Sequence, residues 1–236
     1  MKKIAILLLG LVLNYSCSTS ADDNSPEINI DGPNVTDIDG NTYQSVTNCG
    51  LTFTKQNLNV SKYTDGTSIP EVTDPTQWEN LTTGAWCYYS NTTANGTTYG
   101  KLYNWYAVVG IYDAASAASP ALRKKLAPAG WHVPTDSEWT QLTDCLGGET
   151  VAGGKMKSTG TSLWKSPNTA ATKKSGFSGL PAGYRLIYGS FFNIGSFGGW
   201  WSSSQGTGRS LNYSSGFAFR NSNFANGGFS VRCLRD

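Results

Sequence analysis

Residues 176–204 read GFSGLPAGYRLIYGSFFNIGSFGGWWSSS, and residues 215–236 read SGFAFRNSNFANGGFSVRCLRD. Glycine recurs every few positions between aromatic side chains. Each glycine in a helix interior costs about 1 kcal/mol relative to alanine, so this third of the chain cannot sustain a long helix. Aromatic residues favour pleated, half-buried strands. The pattern predicts short strands joined by long loops, with the run Phe229 to Leu234 as the last strand. Across the chain, 27 glycines, 12% aromatic and only 14% charged residues fit a loop-rich, aromatic-packed extracellular fold better than a helical enzyme.

The preceding residues supply a few further elements. Asp39-Gly40 in DIDGNTYQSV is a two-residue turn signal between strand-like runs. LTFTKQNLNV reads as a strand, and AWCYYSN leads into NTTANGTTYG, a polar surface loop. In GKLYNWYAVVG, Leu102, Trp105, Tyr106 and Val109 stand at i, i+3, i+4 and i+7, the spacing of an amphipathic helix. SPALRKKLAP reads as a short helical turn bounded by prolines.

The stretch GWHVPTDSEW holds His132, the only histidine. Thr135 and Glu138 stand in the T-x-x-E relation of a capping box: the hydroxyl can accept from the Glu138 N–H, and the glutamate can reach back to the Thr135 N–H. Asp136 and Glu138 also place negative charge at the positive end of a helix dipole. Trp139, Leu142 and Leu146 line one face, and Gly147-Gly148 stops the helix. Both carboxylates thus have structural work, both tryptophans read as core, and His132 reads as a structural histidine.

The first 17 residues, MKKIAILLLGLVLNYSC, join a basic start at Lys2 and Lys3 to an apolar run from Ile4 to Leu13. That run is too short for a membrane span and suits a signal peptide. It resembles a bacterial lipoprotein signal, which implies cleavage before Cys17 and a lipid on that cysteine. Asn14-Tyr15 departs from the usual pattern. Residues 18–36 are polar and acidic and read as a disordered tether. The Asp22-Asp23 pair resembles an acidic export signal to the outer leaflet, which implies an outer-membrane, surface-exposed location. The domain is expected over residues 37–236.

Loss of Lys2 and Lys3 from 18 basic residues would balance the 16 acidic ones. Without a basic cluster, nucleic acid is not an expected partner. With Cys17 set aside, Cys49, Cys87, Cys145 and Cys233 remain. An even number in an exported chain predicts two disulfides, with three possible pairings. No C-x-x-C spacing occurs, so no zinc site is expected.

DIDGNTYQSV, KQNLN, YGKLYNWYAV, PAGWHVPTDSEWTQLTDCLGG, AGGKMKSTGTSLWKSPNT, SGFSGLPAGYR, WWSSS and GFSVRCLRD, in that order, resemble the Fibrobacter succinogenes major paralogous domain. That family is in turn similar to the formylglycine-generating, sulfatase-modifying fold and to C-type lectin-like domains. HVPTDSEW is close to the helix start RLPTEAEW of the former, and GFSVRC to its ending GFRC. The resemblance implies a small α+β domain with two helices, a short twisted antiparallel sheet and long loops. It supplies no function. Relatives commonly carry a cysteine where Ala127 stands, so their disulfide pattern does not transfer directly. In the sulfatase-modifying relatives the capped helix packs on the final strand, which implies a Cys145–Cys233 bridge and leaves Cys49–Cys87 as the second.

The chemistry of those relatives is not evident in the residues. The sulfatase-modifying oxidases hold copper with a cysteine pair near the C-terminus, where Cys233 stands alone. The Glu-Pro-Asn, Gln-Pro-Asp and Trp-Asn-Asp sequences of calcium-dependent sugar binders are absent, as are H-E-x-x-H and G-x-S-x-G. In GGETVAGGKMKS, Glu149 and Met156 occupy positions a phosphate loop reserves for glycine and for Ser or Thr. No cofactor or metal is expected. The favoured reading is a non-catalytic surface binding or adhesion module for a glycan or protein ligand, tied to the membrane by its lipid. The alternatives are a polysaccharide-active or protein-modifying enzyme, and a structural envelope or fimbria-associated component. Trp164, Tyr188, Asn193, Arg209 and Tyr213, in loops spanning about 157 to 226, are the candidate ligand residues, offering rings for stacking, amides and a fixed charge. Trp164 and Tyr188 read equally well as core.

Overall fold

A computed structural model describes residues 29–236 of the chain; the leader, Cys17 and most of the stretch read as a tether lie outside the described residues. The fold is α+β. Strands β1 (Ile30–Thr36), β2 (Thr42–Asn48) and β3 (Leu51–Thr54) open it, β4 (Trp86–Cys87) pairs with β5 (Leu102–Tyr103), and β6 (Trp131–His132) follows. Strands β7 (Tyr184–Arg185) and β8 (Phe191–Phe192) form a short hairpin. They precede β9 (Phe197–Trp201), β10 (Thr207–Asn212), β11 (Ala218–Ser222) and β12 (Leu234–Arg235). The largest sheet runs β1-β2-β3-β12-β6 and the next β11-β10-β9, and all strand pairs in both are antiparallel.

Six α-helices stand among the described residues, where two were expected: α1 (Pro75–Glu79), α2 (Thr93–Tyr99), α3 (Trp105–Val108), α4 (Ala114–Ala118), α5 (Asp136–Cys145) and α6 (Glu149–Met156). None is long and apolar enough to cross a membrane. The capped helix α5 forms as the sequence predicts. The amphipathic spacing from Leu102 to Val109 does not yield one helix. Leu102 and Tyr103 pair with β4, Asn104 caps α3 by accepting from the Ala107 N–H, and Gly110 turns away at φ 76°. The polar stretch NTTANGTTYG holds α2, in which Gly96 is buried because any Cβ there would collide with the Tyr88 ring.

The Asp39-Gly40 turn joins β1 to β2, so the domain begins inside the expected tether. The Asp37 carboxylate holds the turn, accepting from the N–H groups of Asp39 and Asn41, from the Asn41 amide and from the Tyr43 hydroxyl. The run from Phe229 to Leu234 is not one strand. Phe229 bridges to Tyr103, Ser230 to Trp200, and only Leu234 and Arg235 enter a ladder. The segment stitches separate sheets together.

The eight tryptophans are all buried in three apolar clusters. Successive residues on a strand face opposite sides, and this alternation divides the core. Trp201 enters the cluster containing Trp86, Trp105 and Trp131, whereas Trp200 joins Trp139, Trp164 and Phe177.

The same alternation corrects the disulfides. Helix α5 does pack toward the final strand, but through Leu234, which shares a cluster with Trp139 and Leu142. Cys233 faces the other way, among Tyr43, Leu58 and Trp131, and is a free buried thiol. Cys145 instead bonds Cys49, with Cα atoms 6.0 Å apart. Cys49 sits with Gly50 in the tight turn between β2 and β3, both at positive φ. Cys87 is buried in the third cluster with Trp78 and Leu102 and is also free. The bridges Cys145–Cys233 and Cys49–Cys87 are therefore both overturned.

Long loops leave carbonyls without ladder partners, and a buried polar group without a partner is costly. Here buried cations serve them. Arg185 donates to the carbonyls of Val72, Thr73 and Gly189, and Arg232 to those of Thr54, Phe177 and Ser178. The Lys157 ammonium donates to Thr169, Asn212 and Ser215.

Candidate functional site

The five candidate ligand residues do not converge. Trp164 is 1% exposed, its indole N–H shared between Ser158 Oγ and the Gly179 carbonyl. Arg209, also 1% exposed, lies on the face of β10 that meets α5 and donates to the Asp136 carboxylate at 2.6 Å and to Thr140 Oγ1 at 2.7 Å. Tyr213 packs partly buried against the cluster of Trp164 and Trp200. These three belong to the interior. Tyr188, 63% exposed, is at the tip of the β7–β8 hairpin. Asn193 lines a cleft.

That cleft has a volume of about 450 Å³ and lies where β7, β9 and the edge of β11 approach one another. Tyr184, Phe197 and Phe229 form one side, with Asn193 at the turn after β8, and residues 220–223 form the other. The rings make a ladder. Tyr184 stacks against Phe192 (centroids 6.1 Å apart, planes at 25°) and against Phe229 (5.7 Å, 18°). Phe229 meets Trp201 edge-on at 4.9 Å. The ladder runs from Phe192, 42% exposed, to Trp201 in the core, so the outer ring rests on a rigid column.

Amides supply the polar part. Asn193 adopts φ 65°, a left-handed conformation asparagine tolerates, and its backbone carbonyl accepts from the N–H groups of Ser196 and Phe197. Asn221 donates to Ser210 Oγ at 2.6 Å, which leaves its side-chain carbonyl open. The Asn223 side chain makes no hydrogen bond among the described residues, whereas its backbone N–H is held by the Gly206 carbonyl.

Arg220 is the one cleft residue with a formal charge, and it is engaged. Its guanidinium grips the Asp136 carboxylate at 2.8–3.0 Å. Asp136 therefore receives two arginines, Arg209 from below and Arg220 from the edge. Burial pushes the Asp136 carboxyl up, but the hydrogen bonds from Arg220 and Arg209 outweigh it and hold the group below its ordinary value.

A second group of titratable residues surrounds His132, at the rim of a smaller cleft of about 250 Å³ floored by Val108, Leu126 and Trp131. Its Nδ1 lies 2.6 Å from Asp236 Oδ1 and its Nε2 lies 3.0 Å from Glu138 Oε1. The other Glu138 oxygen accepts from the backbone N–H and hydroxyl of Thr135, whose Oγ1 accepts from the Glu138 N–H. The capping box is complete. Both imidazole nitrogens are committed, so neither is placed to take a proton from a substrate.

Tyr184, Phe192, Asn221 and Asn223 are not among the residues singled out from the sequence. Their signal is present in FRNSN, where strand alternation puts Phe219 and Asn221 on one face and Arg220 on the other, but the partner wall comes from residues nearly forty positions earlier.

These features define an α+β domain with a stapled, clamped helix on one side of a small sheet and a polar-aromatic cleft on the other. Residues 46–235 match the Fibrobacter succinogenes major domain, and the chain belongs to that family. No curated protein and no solved structure matches it.

Proposed function

We propose that the chain is a lipid-anchored, surface-exposed outer-membrane protein whose domain binds an external glycan or protein ligand without transforming it. The observation that carries this reading is the cleft between Tyr184 and the β11 edge. It combines fixed aromatic rings with open amides, the combination that gives rigid anchoring and adaptable hydrogen bonding. Its lining holds no carboxylate, and its guanidinium is already engaged by Asp136. General acid–base catalysis needs a group able to move a proton, so this lining favours binding over turnover. The lipid on Cys17 would supply the membrane attachment. Kinship with sulfatase-modifying and C-type lectin-like folds is part of the same proposal, supported by the capped helix α5 against a sheet that includes the last strand.

The test is a binding screen of the purified full-length chain against polysaccharides, mucin and extended peptides, repeated with Asn223→Trp, which fills the cleft. A ligand bound by the wild-type chain, released unchanged in mass and lost in the variant at unchanged melting temperature is the expected result. A ligand that is cleaved or modified would establish an enzyme instead.

A further inference from the structure

Resting on the reading of the cleft as a binding site, we infer that it takes an uncharged glycan, with the Phe192 ring, stacked on the wall residue Tyr184 and next in sequence to Asn193, as a stacking platform at the margin of the cleft whose wall carries the Asn193, Asn221 and Asn223 amides. Three properties of the cleft and its margin select this chemistry. The first is charge. Arg220 is the only ionic group in the wall, and Asp136 neutralises it through two-point contact on the far side of the β11 strand. An acidic glycan or an acidic peptide would find no unpaired cation to meet its charge, and burying an unpaired charge is costly.

The second property is the hydrogen-bonding character of the wall. A side-chain amide offers both donors and acceptors, and a sugar hydroxyl does the same, so neither partner dictates polarity to the other. The open carbonyl of Asn221 and the whole amide of Asn223 provide this mixed set. Asn193 adds an exposed amide, tethered only by a long contact of 3.4 Å to the Tyr184 hydroxyl.

The third property is the ring ladder. Both faces of Tyr184 are covered, by Phe192 on one side and Phe229 on the other. Tyr184 therefore cannot itself stack on a ligand. Phe192 has one covered face and is 42% exposed, and its backing by Tyr184 removes the freedom an exposed phenylalanine would otherwise lose on binding. A flat apolar ring at the margin of an amide-bearing wall matches a pyranose, which has an apolar C–H face and a polar rim. An extended peptide pairing with the β11 edge is the competing occupant, since β11 has a neighbour on one side only; that mode would use backbone groups and be indifferent to Phe192.

The experiment measures binding of the full-length chain to neutral oligosaccharides of glucose, mannose or xylose, to polyuronate oligosaccharides of the same length, and to an extended Thr/Val peptide. Each is measured at low and high salt, with Phe192→Ala, Asn223→Ala and, outside the cleft, Tyr188→Ala. We expect at least one neutral oligosaccharide to bind with little salt dependence. Phe192→Ala and Asn223→Ala should each weaken it about tenfold, Tyr188→Ala should leave it unchanged, and all three variants should melt with the wild type. Binding confined to polyuronates and lost at high salt, or binding of the peptide abolished by Asn223→Ala but not by Phe192→Ala, would overturn the glycan assignment and leave the cleft as a binding site. No binding by any probe, or binding indifferent to both Phe192→Ala and Asn223→Ala, would overturn the glycan assignment and the cleft reading together.

Discussion

His132 Nδ1 and Asp236 Oδ1 lie 2.6 Å apart, joining the segment before α5 to the residue that follows β12. Glu138 holds the other ring nitrogen. Carboxylates only accept, so both contacts are satisfied together only when the imidazole carries two protons. Burial lowers the tendency of His132 to protonate, but the hydrogen bonds to Asp236 and Glu138 prevail and raise its pKa above 6.5. A folded-state pKa above the unfolded value gives stability that is fully present below about 6.5 and is lost as pH rises through the folded value. The gap in melting temperature between the wild type and His132→Asn should therefore be widest near pH 6 and narrow in more alkaline solution. A gap that grows with pH would show that His132 is held neutral.

Thr135→Ala should destabilise the domain by about 1 kcal/mol, the ordinary cost of a lost N-cap. The variant removes the acceptor for the Glu138 N–H and one donor to the Glu138 carboxylate. Denaturant titration measures the loss, and ligand binding by the folded variant should be unchanged because the cleft lies across the sheet from α5.

The two local signals with complete chemistry were legible in the sequence: the Asp39-Gly40 hairpin and the Thr135–Glu138 box both depend on residues within four positions of one another. What was not legible depended on the face a residue takes after long-range pairing. Leu234 and Cys233 are neighbours in sequence yet sit in different clusters, and only the pairing of Leu234 with Phe53 and His132 decides which meets α5. Arg209 looked like a fixed charge for a ligand because nothing local shows that Asp136, seventy-three residues earlier, consumes it. Short helices such as α2 were hidden for a related reason. Propensity argues against them, and burial of Gly96 on Tyr88 overrides it.

Thiol chemistry separates the observed bridge from the alternatives. In the native chain Cys87 and Cys233 should resist alkylation and become reactive only in denaturant, since burial raises both thiols far above the usual range. Peptide mapping without reduction should recover Cys49 joined to Cys145. Reducing that bond releases a loop spanning 96 residues, worth about 4–5 kcal/mol in the chain-entropy model. A mapped Cys145–Cys233 peptide would contradict the fold at β12.

Cys17 is expected to be the first residue of the mature chain and to carry lipid. Mass spectrometry of the N-terminal peptide from membranes should show loss of residues 1–16 and a diacylglyceryl mass on the cysteine. An intact leader peptide containing unmodified Cys17 would remove the anchored location from the proposal.

Asp136 links the stability of the domain to the neutrality of the cleft, and its two arginines can be separated by mutation. Arg209 is buried, so Asp136→Asn leaves a guanidinium without its counter-charge in the interior; breaking such a pair costs about 3 kcal/mol. Arg220 is half exposed, and Arg220→Gln should cost far less than Asp136→Asn, as surface pairs contribute little. Binding should respond in the opposite order of severity. Arg220→Gln keeps the cleft uncharged and should leave affinity for a neutral ligand within a few fold. Asp136→Asn leaves Arg220, a residue of the cleft wall, without its counter-charge, so the folded variant should acquire salt-dependent affinity for acidic oligosaccharides that the wild type lacks. Equal binding of acidic ligands by wild type and Asp136→Asn, measured at low salt and below the melting transition of each, would show that Asp136 does not set the charge of the cleft.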